Sequence, residues 1–291
     1  MIIQGFDPNV YRDKRCLCVC ALVSRSWRAV ALPYLFRVLR LSLQLPQKQH
    51  RNTRHQRART WRPHKDDYPL KTPITISDAQ LFFQQNPSLA TNVRVVELSA
   101  RQRFKNLYRI PTFEFLAFMR SFPKLESICL DDILIEPLAP GTRHEGLAVE
   151  SLEIRLDIPI LYDEEIYAML KCFSAVEAVA LYLNFTSDDR HAPSSKPGII
   201  STKIKSLSIY GVPEGTSAVL ARLSRSPTAK SLHVLSVFQL DTGRIPEGLQ
   251  ALLVASKDNL SSLTLSFKVV FHQSGTPRSP ISRYLMFTCD L

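Results

Sequence analysis

Val176-Glu-Ala-Val179-Ala-Leu181-Tyr182 reads apolar, two free positions, apolar, one free position, apolar. The same spelling returns at Ile204-x-x-Leu207-x-Ile209, at Leu232-x-x-Leu235-x-Val237 and at Leu260-x-x-Leu263-x-Leu265. The four starts are spaced by about 28 residues, a period that marks stacked repeats. Looser copies lie upstream at Val93-x-x-Val96-x-Leu98, Leu125-x-x-Ile128-x-Leu130 and Val149-x-x-Leu152-x-Ile154. A strand with alternating apolar residues buries one face and shows the other. One such strand with one return segment cannot close a core, but stacked neighbours can. The expected fold class is an α/β (α+β) solenoid of irregular, leucine-rich-repeat-like strand and helix units. The alternative is an ordinary α/β domain whose strands are evenly spaced.

Apolar return segments fall between the copies. Phe113 to Phe122 is one. Ile166, Tyr167, Met169, Leu170 and Phe173 form another, behind the acidic start Asp163-Glu-Glu165, where negative charge favours a helix N-terminus. Val219, Leu220 and Leu223 form a third, and Leu249, Leu252 and Leu253 a fourth. Ser77 with Gln80 spells a capping box for a helix from Asp78 to Gln85. The polar run Asp188 to Gly198 reads as a loop. Phe271 to Leu291 loses the period, and Gly275-Thr-Pro-Arg-Ser-Pro280 is loop chemistry.

The N-terminal stretch is helical. Over residues 14–31, Cys16, Cys20, Val23, Trp27 and Val30 recur at steps of four and three, so they share one face. Asp13 is expected ahead of that helix and Pro33 at the start of a second one, which runs into Val38-Leu-Arg-Leu41. Cys16, Cys18 and Cys20 cannot converge on one metal ion from a helix, so they read as small buried apolar residues.

Cys16-Leu-Cys-Val-Cys-Ala-Leu22-Val-Ser-Arg-Ser26-Trp27-Arg28, followed by Ala31-Leu-Pro33-Tyr-Leu35-Phe36, resembles the second half of the F-box of fungal, mushroom-type F-box proteins. In that family a small helical module binds the Skp-type adaptor of a cullin–RING ubiquitin ligase, and downstream leucine-rich repeats hold the substrate protein. The resemblance implies adaptor binding by Leu22, Val23, Trp27, Pro33, Leu35 and Phe36. It also marks a departure. The family's opening Leu-Pro element and first helix are missing, because the chain starts at Met1-Ile-Ile-Gln-Gly-Phe6, inside that helix. The expectation is a shortened gene product or a module that has lost part of its adaptor surface. The resulting organisation is residues 1–41, partial F-box-like module; 42–76, linker; 77–291, leucine-rich-repeat-like region.

Charge and composition narrow the classes. The 291 residues are 45% hydrophobic with a formal net charge of +11. Much of that charge lies in Lys48, Arg51, Arg54, Arg57, Arg59, Arg62 and Lys65, with no acidic residue among them. With no apolar face to bury, this segment reads as an exposed linker. A nuclear-import signal and a nucleic-acid arm are the competing readings, the second weakened by few interleaved aromatics. The six cysteines are scattered, no signal peptide is spelled, and no apolar run reaches the roughly 18 residues a membrane span needs. The expected setting is intracellular, cytoplasmic or nuclear, without a membrane partner.

No phosphate loop, His-Glu-x-x-His, Cys-x-x-Cys or Gly-x-Ser-x-Gly is present. Adjacent pairs such as Asp66-Asp67, Asp131-Asp132 and Asp188-Asp189 point to opposite faces of a strand. The chain reads as a non-enzyme without cofactor or metal. A binding face is easier to derive. The residue after each third apolar position points out of the strand layer: Ser99, Asp131, Arg155, Tyr182, Tyr210, Phe238 and Ser266. Strands lie about 4.8 Å apart, so Tyr182, Tyr210 and Phe238 should form an aromatic row beside Asp131 and Arg155. Aromatics concentrate at interface centres, so these five are the candidate substrate-binding residues. The combined expectation is a substrate-recognition adaptor of a cullin–RING ligase. The alternatives are a solenoid interaction module without ligase recruitment and a basic nucleic-acid-associated protein.

Overall fold

Every copy of the repeated unit becomes a strand. The computed structural model describes residues 11–43, 75–100, 108–137, 145–157, 163–183, 201–211, 213–241, 246–271 and 281–290. The described residues open with α1 (Tyr11–Val23), α2 (Arg25–Leu35) and β1 (Val38–Leu43). They continue with α3 (Ile76–Gln85), α4 (Pro87–Ala90), β2 (Val95–Ala100), β3 (Tyr108–Pro111), α5 (Thr112–Arg120), β4 (Ser127–Asp131) and β5 (Ile133–Glu136). Then come β6 (Leu147–Leu156), α6 (Asp163–Lys171), β7 (Phe173–Leu183), β8 (Lys203–Gly211) and α7 (Pro213–Ser224). A 3-10 turn (Pro227–Ser231), β9 (Val234–Asp241), α8 (Glu247–Ser256), β10 (Ser262–Phe271) and β11 (Ile281–Asp290) complete the chain.

The fold is mixed α/β around a mostly parallel sheet. Among the described residues, nine strands lie in the order β1-β2-β4-β6-β7-β8-β9-β10-β11, and β3 pairs with β5 separately. The strands from β1 to β10 run parallel, while β11 returns antiparallel to β10 over ten paired positions. A carbonyl just ahead of a strand often ties it to the next. Arg37 accepts from the N–H groups of Arg94 and Val95 at 2.9 and 3.0 Å. Arg94 does the same for Glu126 and Ser127 at 2.8 and 3.0 Å, and Glu126 for Glu150 and Ser151 at 2.8 and 3.1 Å.

Strand alternation decides what is buried. Val96 and Leu98, Ile128 and Leu130, Leu152 and Ile154, Val179 and Leu181, Leu207 and Ile209, Leu235 and Val237 all face one core. Phe83, Phe115, Phe118, Ile166, Leu220 and Leu249 from the helices join the same cluster. Burying one such side chain is worth about 1.5–3 kcal/mol relative to leaving it in water, so this face dominates stability. Gly248 lets α8 approach α7 closely, because a Cβ there would meet the Ser217 carbonyl oxygen at 2.1 Å.

Several local expectations are corrected. The helix expected over 14–31 is two helices, broken at Ser24. That residue is extended (φ −156°, ψ 165°), and its side chain accepts the Trp27 N–H as an N-cap. A serine hydroxyl offers the backbone this alternative to continuing a helix. The buried side chains of the pair are Leu17, Ala21 and Ala31, whereas Val23 and Val30 are exposed. Cys16 and Cys18 are exposed too, contrary to their reading as buried residues. Asp13 lies inside α1, and Pro33 sits in the last turn of α2 rather than starting a new helix. Val38 to Leu41 belongs to edge strand β1, so the boundary drawn at residue 41 falls within a strand.

Further along, Thr75 caps α3 in place of Ser77, with Asp78 completing the capping box. The Thr75 hydrogen bonds hold the Asp78 carboxyl below its usual range. Phe173 opens β7 rather than closing a helix. Residues 281–290, within the stretch that loses the repeat period, form β11. Leu285, Met286 and Phe287 are exposed along it. The basic segment from Lys48 to Lys65, the polar run 188–198, the loop 275–280, Met1 to Phe6 and Asp66-Asp67 lie outside the described residues.

Candidate functional site

The open face of the sheet carries a register row built by the repeated unit. Ser42, Ser99, Asp131, Arg155, Tyr182, Tyr210 and Phe238 are consecutive partners across β1, β2, β4, β6, β7, β8 and β9. The spacing rule therefore holds from Ser99 to Phe238. It breaks off at Ser266, which has no partner on β9 because the register shifts between Leu265 and Phe267, and which is buried at 3% exposure between two residues that pack on the core.

Tyr182 and Tyr210 stack with centroids 4.5 Å apart and planes 5° from parallel. Tyr210 and Phe238 stack at 4.2 Å and 0°. These separations approach the strand spacing, so the ring normals run from strand to strand. The facing ring surfaces are consumed inside the row. Arg155 closes the Tyr182 end, its Cζ 5.5 Å from the ring centroid. Its guanidinium is held by Glu153 at 2.7–2.8 Å. Burial pushes the Tyr182 phenol up from its ordinary value, with the Glu153 charge adding to the shift. Gly211 ends β8 just beyond Tyr210. Its φ of +156° and the Leu183 carbonyl oxygen, 2.0 Å from where a Cβ would sit, restrict that position to glycine.

Asp131 lies beside Arg155 and is half-buried. Desolvation raises its pKa above the ordinary carboxylate value, and neighbouring Asp132 adds to the rise. Asp132 itself makes a turn rather than continuing the strand. Its φ is 55°, its N–H donates to the Arg155 carbonyl at 2.9 Å, and its Oδ1 accepts the Asp157 N–H at 2.9 Å. Cys129, on the same face, is pushed up to about 11 by burial and the nearby Glu153, so its thiolate is scarce at neutral pH.

The lane beneath the aromatic row was not foreseen. Ala180, Ser208 and Ser236 are consecutive partners two residues before the three rings. All three are small and half-buried. The signal was present in the sequence, as small residues at the same offset in three successive units.

The six residues singled out on the N-terminal helices divide. Leu22 and Val23 are 78% and 68% exposed. Val19, Val30 and Tyr34 are also exposed. Pro33 is exposed and Trp27 half-buried. Leu35 packs on the small Leu17, Ala21 and Ala31 cluster, whereas Phe36 packs against the main core. Leu22 and Val23 thus offer an open surface, while Phe36 anchors the helix pair to the sheet.

Among the described residues, no group of three or more His, Cys, Asp or Glu side chains is arranged to hold a metal ion. No described helix is long and apolar enough to cross a membrane. Comparisons with family models, with curated proteins and with solved structures returned no match for this chain.

Proposed function

We propose that this chain is a non-catalytic recognition protein, intracellular and either cytoplasmic or nuclear. Its strands and helices act as an irregular, leucine-rich-repeat-like solenoid that captures a partner protein on the open sheet face. The α1–α2 pair, which resembles the second half of a fungal F-box, docks a Skp-type adaptor. Through it the captured protein is brought to a cullin–RING ubiquitin ligase.

The observation that carries the ligase reading is the imbalance in the helix pair. Among the described side chains, three buried ones hold it together, while Val19, Leu22, Val23, Val30 and Tyr34 stay exposed. Apolar side chains left open in this number suit a surface completed by another protein. The observation that supports capture is the aromatic row of Tyr182, Tyr210 and Phe238, flanked by Arg155 and Asp131.

The test is co-purification with a Skp-type adaptor. The wild-type chain should form a stable complex, and Leu22→Asp with Val23→Asp should lose it while circular dichroism stays unchanged. No complex from a folded wild-type chain removes the ligase role. The aromatic row then favours the second reading, a solenoid interaction module without ligase recruitment. A nucleic-acid role would rest on residues 48–65, outside the described residues. It would show as binding that weakens steeply with salt.

A further inference from the structure

A cleft of about 340 Å³ opens where the end of α2 meets the leading ends of β2 and β4. Tyr34, Arg37, Asn92, Arg94, Lys124 and Glu126 line it. It lies at the opposite strand ends from the aromatic row, and no sequence motif pointed to it. Three cations therefore face one carboxylate. Glu126 is engaged by Arg94 in an ion pair. Among the described residues, neither Arg37 nor Lys124 has a carboxylate partner. The cleft thus keeps a surplus of two positive charges.

The frame around these charges is fixed by backbone rather than by side chains. Arg37, Arg94 and Glu126 occupy successive rungs of the carbonyl ladder ahead of β1, β2 and β4. Asn92 gives one amide N–H to the Ser88 carbonyl at 3.1 Å, which leaves its second N–H for a ligand. Tyr34, 37% exposed, adds a hydroxyl at the rim. Guanidinium, ammonium, amide and phenol all donate, so the lining suits an acceptor-rich anion. Arg and Lys are the side chains that hold phosphate, Arg through paired N–H groups and Lys as a point charge. The volume falls within the range of small-ligand sites and exceeds what one phosphate group fills.

We propose that this cleft binds a phosphate monoester, with the phosphoryl oxygens between Arg37 and Lys124 and the organic group in the remaining space. The phosphate is either that of a free small molecule or that of a phosphorylated side chain. The site stands independently of the ligase reading.

The experiment is a ¹H–¹⁵N NMR titration of the full chain with inorganic phosphate and with a phosphoserine peptide. The unphosphorylated peptide and sodium chloride at matched ionic strength serve as references. Saturable shifts confined to the amides around Asn92, Arg94 and Lys124 are expected, with affinity falling as salt rises. The double variant Arg37→Ala with Lys124→Ala should lose at least about tenfold in affinity at an unchanged melting temperature, because the ladder uses only main-chain atoms. Should the double variant fail to fold, Lys124→Gln alone should still weaken binding several-fold. Tighter binding of the peptide than of inorganic phosphate identifies a phosphorylated side chain, and binding of inorganic phosphate but not of the peptide identifies the phosphate of a free small molecule. Equal binding shows that the organic group makes no contact and overturns the monoester assignment. Shifts that never saturate, or the same affinity in a folded variant, overturn the proposal.

Discussion

The α1–α2 pair and the sheet with its helices are both amphipathic, but they end differently. In β2, β4, β6, β7, β8 and β9 the core side chains meet helices and neighbouring strands and are almost fully buried. Among the described side chains of the helix pair, Leu17, Ala21 and Ala31 are the buried cluster, while Leu22 and Val23 remain open. These inner strands satisfy their own hydrophobic pattern, whereas edge strand β11 leaves Leu285, Met286 and Phe287 exposed. The helix pair carries a pattern that nothing else in the described chain covers. An apolar periodicity in a sequence therefore says that a face wants burial, without saying whether the partner lies in the same chain.

The largest effect expected from this contrast is on stability. Leu181→Ala removes a side chain with no exposure from the centre of the sheet. It should cost about 2–5 kcal/mol in urea denaturation, as cavity-forming core changes do. Leu22→Ala, at 78% exposure, should change stability by less than about 0.5 kcal/mol. Equal losses would erase the distinction between the two regions.

A second effect comes from polar groups hidden inside the well-packed region. Thr202 is 1% exposed. Its hydroxyl lies 2.7 Å from the Leu170 carbonyl in the last turn of α6 and 2.9 Å from that of Phe173. The final carbonyls of a helix lack intrahelical partners, so this hydroxyl satisfies a group that would otherwise be orphaned. Thr202→Val keeps the shape and removes the donor. A loss of about 1–3 kcal/mol in the same denaturation assay is expected. No loss would mean that water reaches these carbonyls.

The third effect separates binding from folding on the open face. Substituting Tyr182, Tyr210 and Phe238 together by Ser removes two stacked cross-strand pairs. Each pair is worth about 0.2–1 kcal/mol, so the sheet should remain folded. Capture of the partner protein, scored by pull-down against the wild-type chain, should be lost. Unfolding of this variant would instead assign the row to the core.

Much of this geometry was legible because strand period and repeat period are rigid. The row from Ser99 to Phe238 follows from counting alone, since equal offsets in parallel neighbours come into register. Counting failed where a local choice outweighed the period. The register shift beside Ser266 took that residue out of the row, Ser24 capped a new helix within an apolar stripe, and Thr75 took the cap from Ser77. The cleft was not legible at all. Arg37, Arg94 and Lys124 come from three segments with no common spacing, and only the pairing of β1, β2 and β4 gathers them.

The smallest effect concerns charge within the row. Desolvation and the Asp132 charge raise the folded-state pKa of Asp131 above the ordinary value of 3.8. The folded protein then holds this proton more tightly than the unfolded chain does. The stability that this group contributes is present below pH 3.8 and is lost as pH rises through the folded-state value. At neutral pH its charge therefore opposes folding slightly, with Arg155 offsetting part of the cost. Asp131→Asn removes the charge with little change of shape. It should raise the melting temperature by on the order of 1 °C at pH 7, and the gain should shrink toward zero as pH falls below 3.8. A lower melting temperature at pH 7 would show that attraction to Arg155 outweighs desolvation. The aromatic row would then end on an ion pair that stabilises the fold, rather than on a carboxylate kept at some cost for a partner.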